Sequence, residues 1–330
     1  MTSIADYKTL EVLAERHPRY LRLKTLASVE TLTGQEPMLW FELSDRDARV
    51  EGADNRPVLA FFAGVHGIEA IGVKILLAFI DHVVEQTLWN SQMVDLLKRV
   101  RIVGIPIVNP WGYVAESRCN GQGVDLMRNA PVESAVSVPF VGGHRLSPSL
   151  PYYRGEGGFE RENLELIAFV ERELWKAPFA LALDLHSGFG MEDYLWTPYA
   201  KEKGFPPLWE HYARVSALLD KTLRNHVYRF EPQSRQYCTG GDLWDYLFDK
   251  ALEDRSAGIF LPLTLEVGSW AWLRKSPSKV LSLRNFFNPA HTHRERRVLR
   301  RHLPLLNMLL HVVADYDRVL GVPTVRREAA

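Results

Sequence analysis

Two rhythms of apolar and polar residues alternate along this chain. Short, almost wholly apolar runs occur at Val58–Phe62, Ile102–Val108, Phe179–Leu185 and Ile259–Leu265. Runs of that length, with no polar alternation, are the composition of strands buried on both faces. Between them, apolar residues at helical spacing predict helices over about 4–16, from about Ala70 through Val84, near 93–97, and over 160–175 and 207–226. Two more are expected, from an Asp242 cap to about 252 and over roughly 293–319. A further strand is expected around 38–43, followed by a charged loop over 44–56 that Pro57 closes. Residues 109–158 are the least regular and are rich in Gly, Pro, Ser and Asn. A loop that long inside a compact unit usually has a function.

Strands alternating with helices predict an α/β fold with a central mixed, largely parallel twisted sheet flanked by helices. Neither a repeat nor a linker interrupts the chain, so a single domain over 1–330 is expected. Apolar residues make up 46%, enough for a large core. Lys+Arg and Asp+Glu are both 40, so net charge gives no reason to expect nucleic acid or an anionic membrane as partner. Two cysteines, Cys119 and Cys238, do not make a disulfide framework, and they fit a reducing compartment such as the cytoplasm. No signal peptide is expected at the N-terminus, and the apolar stretch 71–84 is too short and too charged to span a bilayer.

The chemistry gathers where the buried strands stop. His66-Gly67-Ile68-Glu69 follows the first of them, His186 ends the third and Glu266 ends the fourth. Strand ends of an open α/β sheet converge on one edge, so residues distant in sequence can share a site there. His66, Glu69 and His186 form a His₂Glu set suited to a catalytic zinc ion with an open position. Glu266 is then a general base beside the activated water. Taken singly, His186 also reads as a core histidine and Glu266 as half of a salt bridge. The spacing of His82-Val83-Val84-Glu85 is the same, but it falls inside a helix and reads as a surface face. In the irregular stretch, Arg118 can stabilise a developing oxyanion and Arg128 can fork onto a substrate carboxylate. Loop-tethering ion pairs are the other reading of both. Trp89, Trp175, Trp209 and Trp244 sit on helical periods and read as core or groove. The arginines of 294–301 read as a solvated helix face that His291-Thr292-His293 opens.

With these residues assembled, the chain resembles the zinc metallocarboxypeptidases. The matching segments are 64–69, Asn109-Pro110-Trp111-Gly112, Arg118, Gly123 through Asn129, His186-Ser187, Tyr237 through Gly241, and Leu265-Glu266, in the family's order. The resemblance implies one zinc ion on His66, Glu69 and His186, with Glu266 as general base. It implies that Arg118 polarises the scissile carbonyl and that Arg128, with Asn129 beside it, receives the substrate's carboxylate. Tyr246 is similar to the family's mobile tyrosine if one residue is deleted here, though it fits equally well as a core aromatic on the Asp242 helix. Met127 stands where the family usually has Asn, which removes an amide that grips a terminal carboxylate. The expected partner is therefore a peptide or an N-acyl amino acid. The first substrate implies carboxypeptidase-like amide hydrolysis, and the second a deacylase similar to aspartoacylase and succinylglutamate desuccinylase. A non-catalytic binding protein of the same fold would lack a ligand or the base, and neither is missing.

Overall fold

The computed structural model describes residues 2–45, 54–270 and 283–323. Most of the charged loop expected over 44–56 lies outside them. The elements in chain order are α1 (Ala5–Arg16), β1 (Leu21–Thr31), β2 (Gly34–Leu43), β3 (Val58–Ala63), α2 (Ala70–Gln86), α3 (Ser91–Arg99), β4 (Arg101–Ile105) and α4 (Pro110–Ala115). They continue with α5 (Arg161–Glu173), β5 (Phe179–Ser187), β6 (Asp193–Thr197), α6 (Trp209–Thr222), β7 (Tyr228–Pro232), α7 (Leu243–Glu253) and β8 (Ile259–Val267). The described residues end with α8 (Leu283–Phe287), α9 (Thr292–Ala314) and α10 (Tyr316–Leu320).

One eight-stranded sheet, ordered β1-β2-β4-β3-β5-β8-β6-β7, runs through the molecule. Its centre is parallel: β3 pairs with β4 and β5, and β5 with β8. The β1/β2, β2/β4 and β6/β8 pairs are antiparallel, so the sheet is mixed as expected. All residues of β3 and β5 are buried, which explains the apolar sequence of β3 and of β5 up to Asp184. After β3 the chain turns one way to β4 and later returns on the other side as β5. The carboxyl end of β3 is therefore a topological switch point, where such sheets form their crevice.

Several expectations are corrected by packing. The strand expected to run to Val108 stops at Ile105, because Val108 and Asn109 turn back to donate to the carbonyls of Ala63 and Gly64. The C-terminal helix breaks at Asp315 into α9 and α10. Trp175 and Trp244 are buried, and Trp89, 76% exposed in the turn after α2, lines a groove with Leu299 and Leu303, so the reading of core or groove holds for these three. His82 lies on the exposed face of α2 against Gln86, as its helical position implied. Among the described residues no helix is long and apolar enough to cross a membrane.

Candidate metal and amide-hydrolysis site

The ends of β3, β5 and β8 bring His66, Glu69, His186 and Glu266 into one cleft of about 450 Å³. His66 lies in the turn that leaves β3, and Glu69 is the last residue before α2. Gly67 makes this turn possible, since a Cβ there would stand 1.9 Å from the carbonyl carbon of Gly112. On the sheet, His186 of β5 is the register partner of Glu266 of β8. Side chains alternate faces along a strand, so Asp184 and Thr264 share the face of His186 and Glu266.

His66, Glu69 and His186 offer ligand atoms that all lie within 4.8 Å of one another. Glu69 Oε1 is 2.9 Å from His66 Nδ1, and Glu69 Oε2 is 3.0 Å from His186 Nδ1. The two Nδ1 atoms face each other at 3.2 Å. The outer nitrogens are both held by buried carboxylates: His66 Nε2 lies 3.0 Å from Asp125 Oδ1, and His186 Nε2 lies 2.7 Å from Asp184 Oδ2. A carboxylate on the outer nitrogen fixes the tautomer that leaves the inner lone pair free for a cation. Two lone pairs and a carboxylate directed at one point suit a divalent ion better than they suit each other. The donor set therefore fits zinc.

The same contacts set the charges. Burial works against a proton on His186, but Asp184 and Glu69 outweigh it and hold the imidazole well above its ordinary range. Burial pushes the Glu69 carboxyl up, yet His66 and His186 bring it well below the usual carboxylate range. At Glu266 the attraction of His186 and Arg118 is outweighed. Burial first, and then repulsion from Glu69, push its carboxyl up to about 8. The backbone N–H of Phe189 donates to its Oε1 at 2.9 Å and fixes its direction. A buried carboxyl with a raised proton affinity is suited to accepting and returning a proton near neutral pH.

Both predicted arginines line the cleft. Arg118 Nε donates to Asp125 Oδ2 at 2.8 Å, its Nη1 reaches Glu69 Oε1 at 3.4 Å, and its guanidinium lies over the ring of Tyr152 at 5.0 Å. It is thus loop-tethered and also faces the metal-ligand cluster. Arg128 is buried, with Nη1 donating to its neighbour's carbonyl, Met127 O, at 3.3 Å, and its Nε has no partner.

Two expectations about the site are corrected. Asn129 does not line the cleft. Its amide donates to Arg154 O at 3.0 Å and Gly158 O at 2.9 Å, and its oxygen accepts from Glu160 N and Asn163 Nδ2. These bonds commit its polar atoms to pinning the loop. Tyr246 also lies outside the cleft, half-buried on α7 with its ring 5.1 Å from that of Phe159. Tyr237 lines the cleft instead, with its ring 5.3 Å from Phe189, the residue that holds Glu266. Asp125 and Asp184 were not singled out from the sequence; Trp244, expected in core or groove, donates from Nε1 to Asp184 Oδ2 at 2.7 Å. Asp184 carried a readable signal, since it stands two residues before His186 on a strand.

Comparison with known proteins bears on the fold and the family. Carboxypeptidase D of Mus musculus is 26% identical over 195 residues, which cover 56% of this chain and only 12% of that protein. Carboxypeptidase SOL1 of Arabidopsis thaliana is 26% identical over 113 residues, or 34% of this chain and 22% of that protein. The chain thus spans a small part of the length of these relatives. Among solved structures, bovine thrombin-activatable fibrinolysis inhibitor, in complex with tick carboxypeptidase inhibitor, matches with a TM-score of 0.67 at 18% identity, covering 96% of this chain and 95% of that one. Carboxypeptidase A from Helicoverpa armigera matches with a TM-score of 0.64 at 19% identity over 96% of this chain and 72% of that one. The sequence profile described as zinc carboxypeptidase matches residues 7–255, and the chain belongs to that family.

Proposed function

We propose that this protein hydrolyses an amide bond beside a free carboxylate, using zinc held by His66, Glu69 and His186. One observation carries the reading: a two-imidazole, one-carboxylate set with both outer nitrogens anchored, facing a buried carboxyl whose proton affinity is raised by burial and by Glu69. A zinc ion in that set supplies Lewis-acid polarisation of water and of the scissile carbonyl. Glu266 takes a proton from the attacking water and delivers it to the departing nitrogen. Arg118 places positive charge where the carbonyl oxygen becomes anionic, and Asp125 fixes its direction. Arg128 receives the substrate carboxylate. Tyr237, in place of Tyr246, supplies a phenol at the same end of the cleft. Burial raises that phenol's proton affinity and the charge of Arg128 opposes the rise, so it stays a hydrogen-bond donor at neutral pH.

Peptides are the first substrate class. N-acyl amino acids are the second, favoured by the buried thioether of Met127, which leaves Arg128 without a neighbouring amide. The free thiols Cys119 and Cys238 suit a cytoplasmic setting. Metal analysis of purified protein is expected to give about one zinc per chain. Glu266→Gln is expected to keep that zinc and lower turnover by about 10²–10⁴-fold. Wild-type protein without stoichiometric zinc, or full activity in Glu266→Gln, contradicts the reading. A panel of dipeptides and N-acyl amino acids then assigns the substrate class.

A further inference from the structure

We propose that Arg154 is a positioning residue that aims Arg128 at the substrate carboxylate. The proposal rests on the reading of Arg128 given above. The head of Arg128 faces Tyr237 and Asp242 in the cleft, one guanidinium nitrogen reaches the adjacent carbonyl at 3.3 Å, and Nε has no partner. Residue 127 gives it no side-chain help, because a thioether is no donor. The aim of this guanidinium therefore depends on where its backbone is held as well as on Tyr237 and Asp242.

That backbone is clamped from two sides. On one side, buried Arg154 spends its guanidinium on three alternate carbonyls. Its Nε donates to Arg128 O at 3.1 Å, and its Nη2 donates to Ala130 O at 3.2 Å and Val132 O at 2.9 Å. On the other side lies Gly241, whose N–H donates to Val132 O at 2.6 Å and whose carbonyl accepts from Ala130 N at 3.0 Å. Gly241 has φ +78°, and a Cβ there would stand 1.9 Å from Arg128 O. No strand or long helix supports residues 128–132, so a planar five-donor group does what a ladder would do elsewhere.

Arg154 also belongs to a segment that touches the rest of the substrate side. Tyr152 lies beneath Arg118, Tyr153 O accepts from Asp125 N at 2.8 Å, and Arg154 O accepts from Asn129 Nδ2 at 3.0 Å. Three consecutive residues therefore bracket Arg118, the carboxylate that orients it, and Arg128. The fourth bond of Arg154, from Nη1 to Glu133 at 2.8 Å, points outward to a side chain 76% exposed. It lies outside the clamp.

Two substrates test this: an N-acyl dipeptide with a free terminal carboxylate, and the same compound as its primary amide. Wild-type protein is expected to prefer the carboxylate. In Arg154→Ala, KM for the carboxylate substrate rises about tenfold or more with a smaller fall in kcat, while kcat/KM for the amide changes by less than about threefold. Arg154→Lys, which keeps the charge and one donor direction, recovers part of the loss. Glu133→Ala leaves both substrates unaffected. Equal proportional losses on both substrates, or an unchanged KM for the carboxylate, overturns the proposal. If Arg154→Ala does not fold, the same comparison on Arg154→Lys decides. A wild type that fails to discriminate the two substrates instead overturns the role of Arg128, and with it the proposal. Zinc-dependent turnover of both substrates would still stand in that case, which separates the two failures.

Discussion

His186 and His302 are both buried imidazoles, yet their surroundings give them opposite characters. His186, at the end of β5, has Asp184 at 2.7 Å on one nitrogen and Glu69 at 3.0 Å on the other. His302, on α9, meets the Tyr228 hydroxyl at 3.0 Å on Nδ1, and its Nε2 lies 3.9 Å from Asp193 with no hydrogen bond. Burial opposes charge at both sites. At His302 it prevails and brings the imidazole down to about 4. At His186 the two carboxylates prevail and hold it well above its usual range. Burial thus separates core from surface, and close carboxylates separate a cation-binding ring from a packing ring.

The largest break of this contrast comes from deleting each ring in turn. His186→Ala is expected to abolish both stoichiometric zinc and turnover. His302→Ala, if it remains folded, is expected to keep both and lose only stability, read by metal analysis and thermal melting on the same samples. Metal loss in both variants would erase the distinction. A gentler change is Asp184→Asn, which keeps the shape but removes the charge behind His186. Zinc affinity is expected to fall about 10–100-fold in a chelator competition.

The pH dependence of stability sharpens the other half. His302 has a lowered pKa in the folded state, so between about 6.5 and 4 the unfolded chain binds a proton that the folded chain refuses. Its contribution is whole above about 6.5 and is lost as pH falls towards about 4. At one pKa unit per 1.36 kcal/mol this amounts to roughly 3 kcal/mol. Denaturant unfolding of wild type and His302→Gln at pH 7 and pH 4 measures it, and the gap between the two proteins should narrow by that amount on acidification. The smallest expected effect separates two tyrosines. Tyr237→Phe lowers kcat/KM, whereas Tyr246→Phe leaves it within about twofold. The reverse result would return the role to α7.

What the sequence revealed follows the same physics. The strands β3, β5 and β8 were legible because burial on both faces leaves only apolar residues, and a polar residue at the end of such a run is conspicuous. His66, Glu69, His186 and Glu266 stood out for that reason. Asp184 did not, although it lies within one of those runs, because its meaning depends on Trp244 from α7, sixty residues away in the chain. Asn129 was misjudged because it adjoins Arg128. Across the short turn at 126–129 neighbouring side chains diverge, and one enters the cleft while the other pins the loop. Tyr246 matched by counting residues, a method blind to which side of α7 faces the cleft. The edge strands β1 and β7 were missed because partial exposure breaks up their apolar positions, and β6, though buried and flanked by β8 and β7, because five residues are too few to show a period.

The pairing of His186 with Glu266 across adjacent strands has a practical consequence for redesign. Neighbouring strands are held about 4.8 Å apart by their hydrogen bonds, so the offset between ligand and base is a property of the sheet. A single inserted residue within β8 would turn the base to the opposite surface, whereas the outer part of the 131–158 excursion, residues 134–151, carries neither ligand nor base and lies before the Tyr152–Arg154 clamp. Libraries meant to change what this protein cleaves therefore belong in that outer part, and the paired strands should be left untouched as a fixed chassis.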